Sequence, residues 1–132
     1  EGILGQVRVL DRSFYDDREG FMNLRSLLVN GIAQTSAYKE PIFRSYWDYV
    51  HVFSMYSTLS YLGKGSSALI LGFGGGTIAN ELNNIGYQVD AVDIDKRMFD
   101  VAKTYFNYNH PSTQFIIDDA RHFLKTSKKN MM

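Results

Sequence analysis

Apolar and polar residues alternate at the start of the chain, the pattern of a half-buried β-strand. The alternation runs through residues 6–10, and a later apolar run at 24–29 is followed by Asn30 and Gly31. An Asn-Gly pair between two apolar runs is a strong hairpin signal, because both residues tolerate the positive φ angles of a type I′ turn. The pattern predicts an antiparallel β-hairpin or sheet over residues 1–40.

A segment rich in aromatic residues follows Pro41 and has helical spacing. Its apolar positions are Ile42, Tyr46, Tyr49, Val50, Phe53 and Tyr56, continuing to Leu62. This spacing is typical of a helix with one face in the core. Glycine and serine at 63–67 predict the end of that helix.

The remainder of the chain alternates between strand and helix patterns. Strand patterns are predicted at 68–71, at 87–95, where the pattern ends in acids, and at 114–117; helices are predicted from 78, at 96–107 and at 120–125. The order strand, helix, strand, helix, strand is half of a doubly wound α/β sheet. We therefore divide the chain into an N-terminal β-sheet region, 1–40, and a partial Rossmann-like region with its preceding helix, 41–132.

The composition of the chain excludes several classes of protein. Its 14 basic residues balance 14 acidic residues over 132 positions, which leaves no electrostatic footprint for nucleic acid. The chain has no cysteine and its three histidines show no ligand spacing, so we expect no metal site. No apolar run approaches the roughly 20 residues of a transmembrane helix. We expect a soluble cytoplasmic domain, whose parent protein could still include membrane helices.

Three glycines, Gly72, Gly74 and Gly76, lie where the first parallel strand meets its helix. Glycine allows a tight turn and brings main-chain N–H groups close to a ligand at the positive end of a helix. A glycine-rich turn also forms where a strand merely passes a helix closely. Asp93 follows Gly72 by about 20 residues, where dinucleotide-type folds place an acid on the ribose hydroxyls. The pair predicts a nucleotide or nucleoside site, with a solvated strand-end acid as the simpler alternative.

The ordered motifs resemble those of the spermidine synthase family, aminopropyltransferases built on the fold of S-adenosylmethionine-dependent methyltransferases. The matching segments are 28–34, Tyr46 with Asp48, 71–76, 92–95 and 118–121. The resemblance covers nearly the whole chain. It implies an α/β fold in which an N-terminal antiparallel sheet precedes the first half, βαβαβ, of a Rossmann-like methyltransferase fold that stops before strand four.

The resemblance also implies a ligand and a role for each matching residue. The ligand is a nucleoside of the S-adenosylmethionine type: decarboxylated S-adenosylmethionine, S-adenosylmethionine or methylthioadenosine. The implied positions are Gln34 at the nucleoside's tail, Gly72, Gly74 and Gly76 in the loop, Asp93 on the ribose, and Asp119 with Ala120 beside the adenine. For Asp119, capping of the next helix is an equally simple explanation.

Two departures from the family concern catalysis. Spermidine synthases have an aspartate inside the glycine loop, where this chain has Gly75. Their fourth strand supplies the aspartates that bind and deprotonate the polyamine acceptor, so we expect this chain alone to be inactive and assign it no catalytic residue. Without a fourth strand beside it, the strand at 68–71 would have an unpaired edge, which proteins avoid. We therefore expect either a longer protein or a homo-oligomer.

Two other functions stay open at this stage. An NAD-type dinucleotide-binding domain would also use Asp93, but its pattern requires Gly or Ala where this chain has Thr77. The non-enzymatic alternative is a degenerate methyltransferase-fold module for binding or assembly, which the absence of the loop aspartate favours.

Overall fold

The structure is a computed structural model that describes residues 4–39, 44–63 and 65–127. Over these residues it contains six strands and four helices. In chain order they are β1 (Val7–Asp16), β2 (Gly20–Val29), β3 (Ile32–Tyr38), α1 (Asp48–Ser60), β4 (Ser67–Leu71), α2 (Thr77–Ile85), β5 (Gln88–Asp93), α3 (Lys96–Tyr105), β6 (Gln114–Ile117) and α4 (Ala120–Thr126). The predicted boundary between residues 40 and 41 lies outside the described residues and stays a prediction.

The first three strands form an antiparallel sheet in the order β1-β2-β3. Asn30 and Gly31 have φ angles of 52° and 80°, which confirms the predicted turn between β2 and β3. The Asn30 side chain also accepts a hydrogen bond from the Gln6 N–H at 2.9 Å, so the turn is tied to the start of β1. Leu24 and Leu27 of β2 are both fully buried, and Leu27 lies in one core cluster with Met98 and Phe106.

The last three strands form a parallel sheet in the order β4-β5-β6. Helix α2 joins β4 to β5, and α3 joins β5 to β6, as the predicted βαβαβ order requires. The protein is therefore an α/β protein in which an antiparallel sheet precedes a partial Rossmann-like fold. Within the described residues, β4 is paired on one side only, with β5.

An aromatic core joins the turn after β4 to α3 and β6. The ring of Phe73 lies 5.2 Å from that of Phe99, 5.1 Å from Tyr108 and 5.4 Å from Phe115, measured between centroids. Edge-to-face pairs at these distances stabilise a core beyond the burial of their area. The Phe73 side chain therefore anchors the turn to the core.

Helix α1 differs from its prediction in both extent and orientation. It begins at Asp48, so Tyr46 precedes it, while Ile42 lies outside the described residues. Val50 and Ser57 are its buried residues, whereas Tyr49, Phe53 and Tyr56 are 58%, 43% and 65% exposed. The prediction of a core-facing aromatic stripe is wrong.

Polar contacts explain the orientation of α1. The buried carboxylate of Glu81 on α2 accepts hydrogen bonds from Ser54 Oγ at 3.0 Å and from Arg44 Nη2 at 2.9 Å. A buried carboxylate requires such partners, and small side chains let the two helices approach. The face with Ser54 and Ser57 therefore meets α2, and the aromatic face turns outward. No helix in the described ranges is long and apolar enough to cross a membrane.

Candidate functional site

A cavity of about 380 Å³ lies at the carboxyl ends of β4 and β5, under strand β3 of the first sheet. Open α/β sheets bind ligands at this edge, and the volume is in the range of small-molecule sites. The residues that line it include Gln34 and Thr35 of β3, Gly72 and Gly74 of the glycine loop, and Asp93 with Asp95 at and after the end of β5. The fold thus brings together four of the predicted site residues: Gln34, Gly72, Gly74 and Asp93.

The glycine loop has the left-handed turns that its sequence predicts. Gly72, Gly74 and Gly76 have φ angles of 88°, 57° and 83°. Gly76 caps α2, and a Cβ there would lie 2.9 Å from the ring of Phe73. Gly76 therefore serves the packing of the loop on the aromatic core and does not line the cavity.

Asp93 is held in the cavity wall by two backbone hydrogen bonds. Its Oδ2 accepts from the Phe73 N–H at 2.8 Å, and its Oδ1 accepts from the Asp95 N–H at 2.9 Å. Each carboxylate oxygen has two lone pairs, so both oxygens retain an acceptor position. Asp93 can therefore orient the glycine loop and still accept two hydroxyl groups of a ligand.

Asp95 faces the same cavity, but its charge is already paired. It caps α3 by accepting from the Arg97 N–H at 3.0 Å, and it forms a 2.7 Å ion pair with the Arg97 guanidinium. Hydrogen bonding to that guanidinium lowers the pKa of Asp95. Arg97 also donates to the Gly5 carbonyl at 2.9 Å, which ties the start of α3 to the N-terminal segment. Among the described lining residues, Asp93 is therefore the acid that is not paired with Arg97.

Thr35 is a site residue that sequence reasoning missed. It is 4% exposed, and its Oγ1 accepts from the Gly75 N–H at 2.9 Å. The contact joins the first sheet to the glycine loop across 40 positions of sequence, which no local pattern signals. Its neighbour Gln34 lines the cavity with an exposed side chain, whose Nε2 donates to the Ile32 carbonyl at 3.3 Å.

Asp119 and Ala120 lie after β6 and do not line this cavity. Asp119 caps α4, since its Oδ1 accepts from the N–H groups of Arg121 at 2.8 Å and His122 at 3.2 Å. Capping is one of the two explanations that the sequence left open. The role of Asp119 and Ala120 beside an adenine stays a prediction.

Comparison with known proteins identifies a solved structure with a similar fold. No family model matches its sequence, and no curated protein matches it. Among 14 matching chains of solved structures is a probable spermidine synthase from Corynebacterium glutamicum, with a TM-score of 0.59 and 12% sequence identity. The match covers 95% of this chain and 48% of that chain, so this chain spans about half the length of its structural neighbour. At this identity the likeness concerns the fold alone: the chain has a spermidine synthase-like fold.

Proposed function

We propose that the cavity binds a nucleoside of the S-adenosylmethionine type, with the ribose hydroxyls on Asp93. The observation that carries this proposal is the carboxylate of Asp93, fixed in the cavity wall by Phe73 and Asp95 with both oxygens still able to accept. A pair of neighbouring hydroxyls matches those two positions. The three ligands in this class are decarboxylated S-adenosylmethionine, S-adenosylmethionine and methylthioadenosine.

The hydrogen bonds of the glycine loop favour a nucleoside over an NAD-type dinucleotide. The N–H groups of Gly72 and Gly76 donate to backbone carbonyls, that of Phe73 to Asp93, and that of Gly75 to Thr35. A diphosphate is normally held by free N–H groups of such a loop. With four of them already paired, the loop is better suited to approach a ribose and an uncharged 5′ carbon.

The proposed reaction of the parent protein is transfer of an aminopropyl or related alkyl group from a sulfonium to an amine. This is a direct displacement, for which the residues of this cavity would supply position and exclusion of water. The attacking nitrogen must first lose a proton, because an ammonium has no lone pair. Asp93 and Asp95 both already accept hydrogen bonds within the fold, so we assign the role of general base to neither.

The same engagement of both acids supports a second candidate, a binding module without chemistry. Among the described lining residues they are the only carboxylates, and each already holds backbone or guanidinium donors. Such a module would bind the nucleoside and leave no transfer to measure. Aminopropyl transfer to a diamine such as putrescine by a protein that contains this chain would exclude this candidate.

The first experiment is calorimetric titration of this chain with 5′-methylthioadenosine and with NAD. We expect binding of the thioadenosine, no binding of NAD, and loss of binding in Asp93→Ala, because ribose hydroxyls left unpaired cost about 1–3 kcal/mol. Asp100→Ala is the matched control, since it removes the same charge from an exposed position of α3. Unchanged affinity in a folded Asp93→Ala variant would refute the ribose assignment.

A further inference from the structure

The residues at 4–6, just before β1, contribute to one wall of the cavity, because Leu4 lines it. On one side they are anchored to the turn between β2 and β3. A Cβ on Gly5, whose φ is 103°, would lie 2.5 Å from Asn30 Nδ2, so the Asn30 side chain occupies space that only a glycine leaves. The Asn30 N–H also donates to the Gln6 carbonyl at 2.9 Å. The first sheet therefore holds these residues from one side.

A single side chain of α3 holds the same residues from the other side. The Arg97 guanidinium donates to the Gly5 carbonyl through Nη1 at 2.9 Å, and to the Asp95 carboxylate through Nη2 at 2.7 Å and Nε at 2.9 Å. Three nitrogens of a planar fork are thus in use, a geometry that a lysine ammonium cannot reproduce. Leu4 and Asp95 both line the cavity, and Arg97 joins their two segments without being among the described lining residues.

The same contacts reach the acid to which we assign the ligand. The Asp95 N–H donates to Asp93 Oδ1 at 2.9 Å, and the Asp95 carboxylate is bound by Arg97. A continuous series of contacts therefore runs from Asp93 through Asp95 and Arg97 to Gly5, the neighbour of Leu4. Without the guanidinium, residues 4–6 would lose their hydrogen bond to the α3 side of the cavity.

We propose that Arg97 is a positioning residue of the cavity, which holds residues 4–6 so that Leu4 forms part of the wall. An apolar wall excludes water from a ligand, so ligand affinity depends on Arg97 although this residue does not line the cavity. The dependence is reciprocal: a ligand that binds better when the wall is in place also holds it in place. This inference rests on the proposed nucleoside site and adds a control of that site by residues 4–6.

Hydrogen exchange of the Gln6 and Asn30 N–H groups, measured by NMR without ligand, tests the hold on this wall. We expect exchange at least about fivefold faster in Arg97→Ala, because residues 4–6 lose a hydrogen bond that opposes local opening. Arg97→Lys should behave similarly, since it keeps the charge but not the planar fork. Arg8→Ala is the matched control, which removes the same charge from an exposed position of β1. Unchanged exchange in both Arg97 variants would overturn the inference, whatever the cavity binds.

Calorimetric titration with 5′-methylthioadenosine tests the consequence for binding. We expect Arg97→Ala to weaken binding by at least about fivefold, and Leu4→Ala to weaken it as well. Because Arg97 acts through Leu4, the double variant should bind no more weakly than Arg97→Ala alone. Circular dichroism checks folding, and Arg97→Lys takes the place of an Arg97→Ala variant that does not fold.

The outcomes separate this inference from the proposed function. Unchanged affinity in a folded Arg97 variant, or losses that add in the double variant, would overturn the role of Arg97 and leave the nucleoside site standing. If the folded wild-type chain does not bind the thioadenosine, the proposed function is wrong, and the exchange measurement alone decides whether Arg97 holds the wall.

Discussion

The ends of β5 and β6 are neighbours in one parallel sheet and both lead into acidic residues, yet the two acids do different work. Asp93 reaches across to the glycine loop after β4 and accepts the N–H of Phe73. Asp119 turns back onto its own chain and accepts the first N–H groups of α4. An acid at a strand end thus takes its role from the donors opposite it, and only the acid facing the glycine loop enters the cavity wall.

The surroundings of the two strand ends differ in the same way. At the β5 end the loop opposite is anchored by Phe73, which is 6% exposed in the aromatic core. At the β6 end Ile117 is 56% exposed, and α4 has no buried residue. The comparison indicates a packed edge at β5 beside an open edge at β6. Variants at each strand end test this difference in packing.

The largest effect is expected for Phe73→Ala. Removing a buried ring that packs against three others leaves a cavity in the core, and should lower the free energy of unfolding by about 3–5 kcal/mol. Urea unfolding followed by circular dichroism measures the loss. Ile117→Ala is the control at the β6 end, and its exposed side chain predicts a loss under about 1 kcal/mol. Equal losses at the two positions would contradict the contrast between a packed and an open edge.

Local signals account for the elements that sequence reasoning predicted well. The Asn30-Gly31 turn needs positive φ at two positions, and the strand at Gln114–Ile117 is a short apolar run between turn signals; both are confirmed. The glycine loop was predictable because glycine is required at Gly72 and Gly74 by their backbone angles. These features depend only on residues close in sequence.

What sequence reasoning missed depends on contacts between distant segments. The spacing of Tyr49, Phe53 and Tyr56 predicts a helix, but which face is buried was decided by Glu81, on another helix. Thr35 reached the candidate site through the packing of one sheet on the loop of another. Periodicity and motif spacing do not encode such contacts, so both the wrong face of α1 and the missing site residue have the same origin.

A smaller effect is expected for Asp119→Ala, which tests the β6 end directly. Loss of an N-cap costs about 1 kcal/mol, so unfolding should shift modestly. If capping is the whole role of Asp119, the affinity for 5′-methylthioadenosine should not change in calorimetry. A clear loss of affinity in the folded variant would support the adenine role that the family resemblance implies, and would place both strand ends in one site.

The smallest effect is expected from two histidines, and it sharpens the contrast between open and packed surroundings. At the β6 end, hydrogen bonding and attraction to the Asp118 carboxylate raise the pKa of His122. Burial lowers the pKa of His110, whose ring lies 5.0 Å from that of Tyr108. The His122 contribution to stability is therefore present below its unfolded pKa of about 6.5 and lost as pH rises through the folded value. The His110 contribution is present above about 6.5 and lost as pH falls toward its lower folded value.

Titration of the two imidazoles by NMR separates these opposite shifts. We expect the midpoint of His122 to lie above that of His110, and Asp118→Asn to bring the His122 midpoint back toward about 6.5 without moving the other. Because His122 is exposed and the rise of its pKa comes mainly from the Asp118 carboxylate, 0.5 M salt should also reduce that rise, whereas the burial of His110 is not screened by salt. If both midpoints moved together in Asp118→Asn, the two histidines would share one environment, and the β6 end would be coupled to the packed core instead of open beside it.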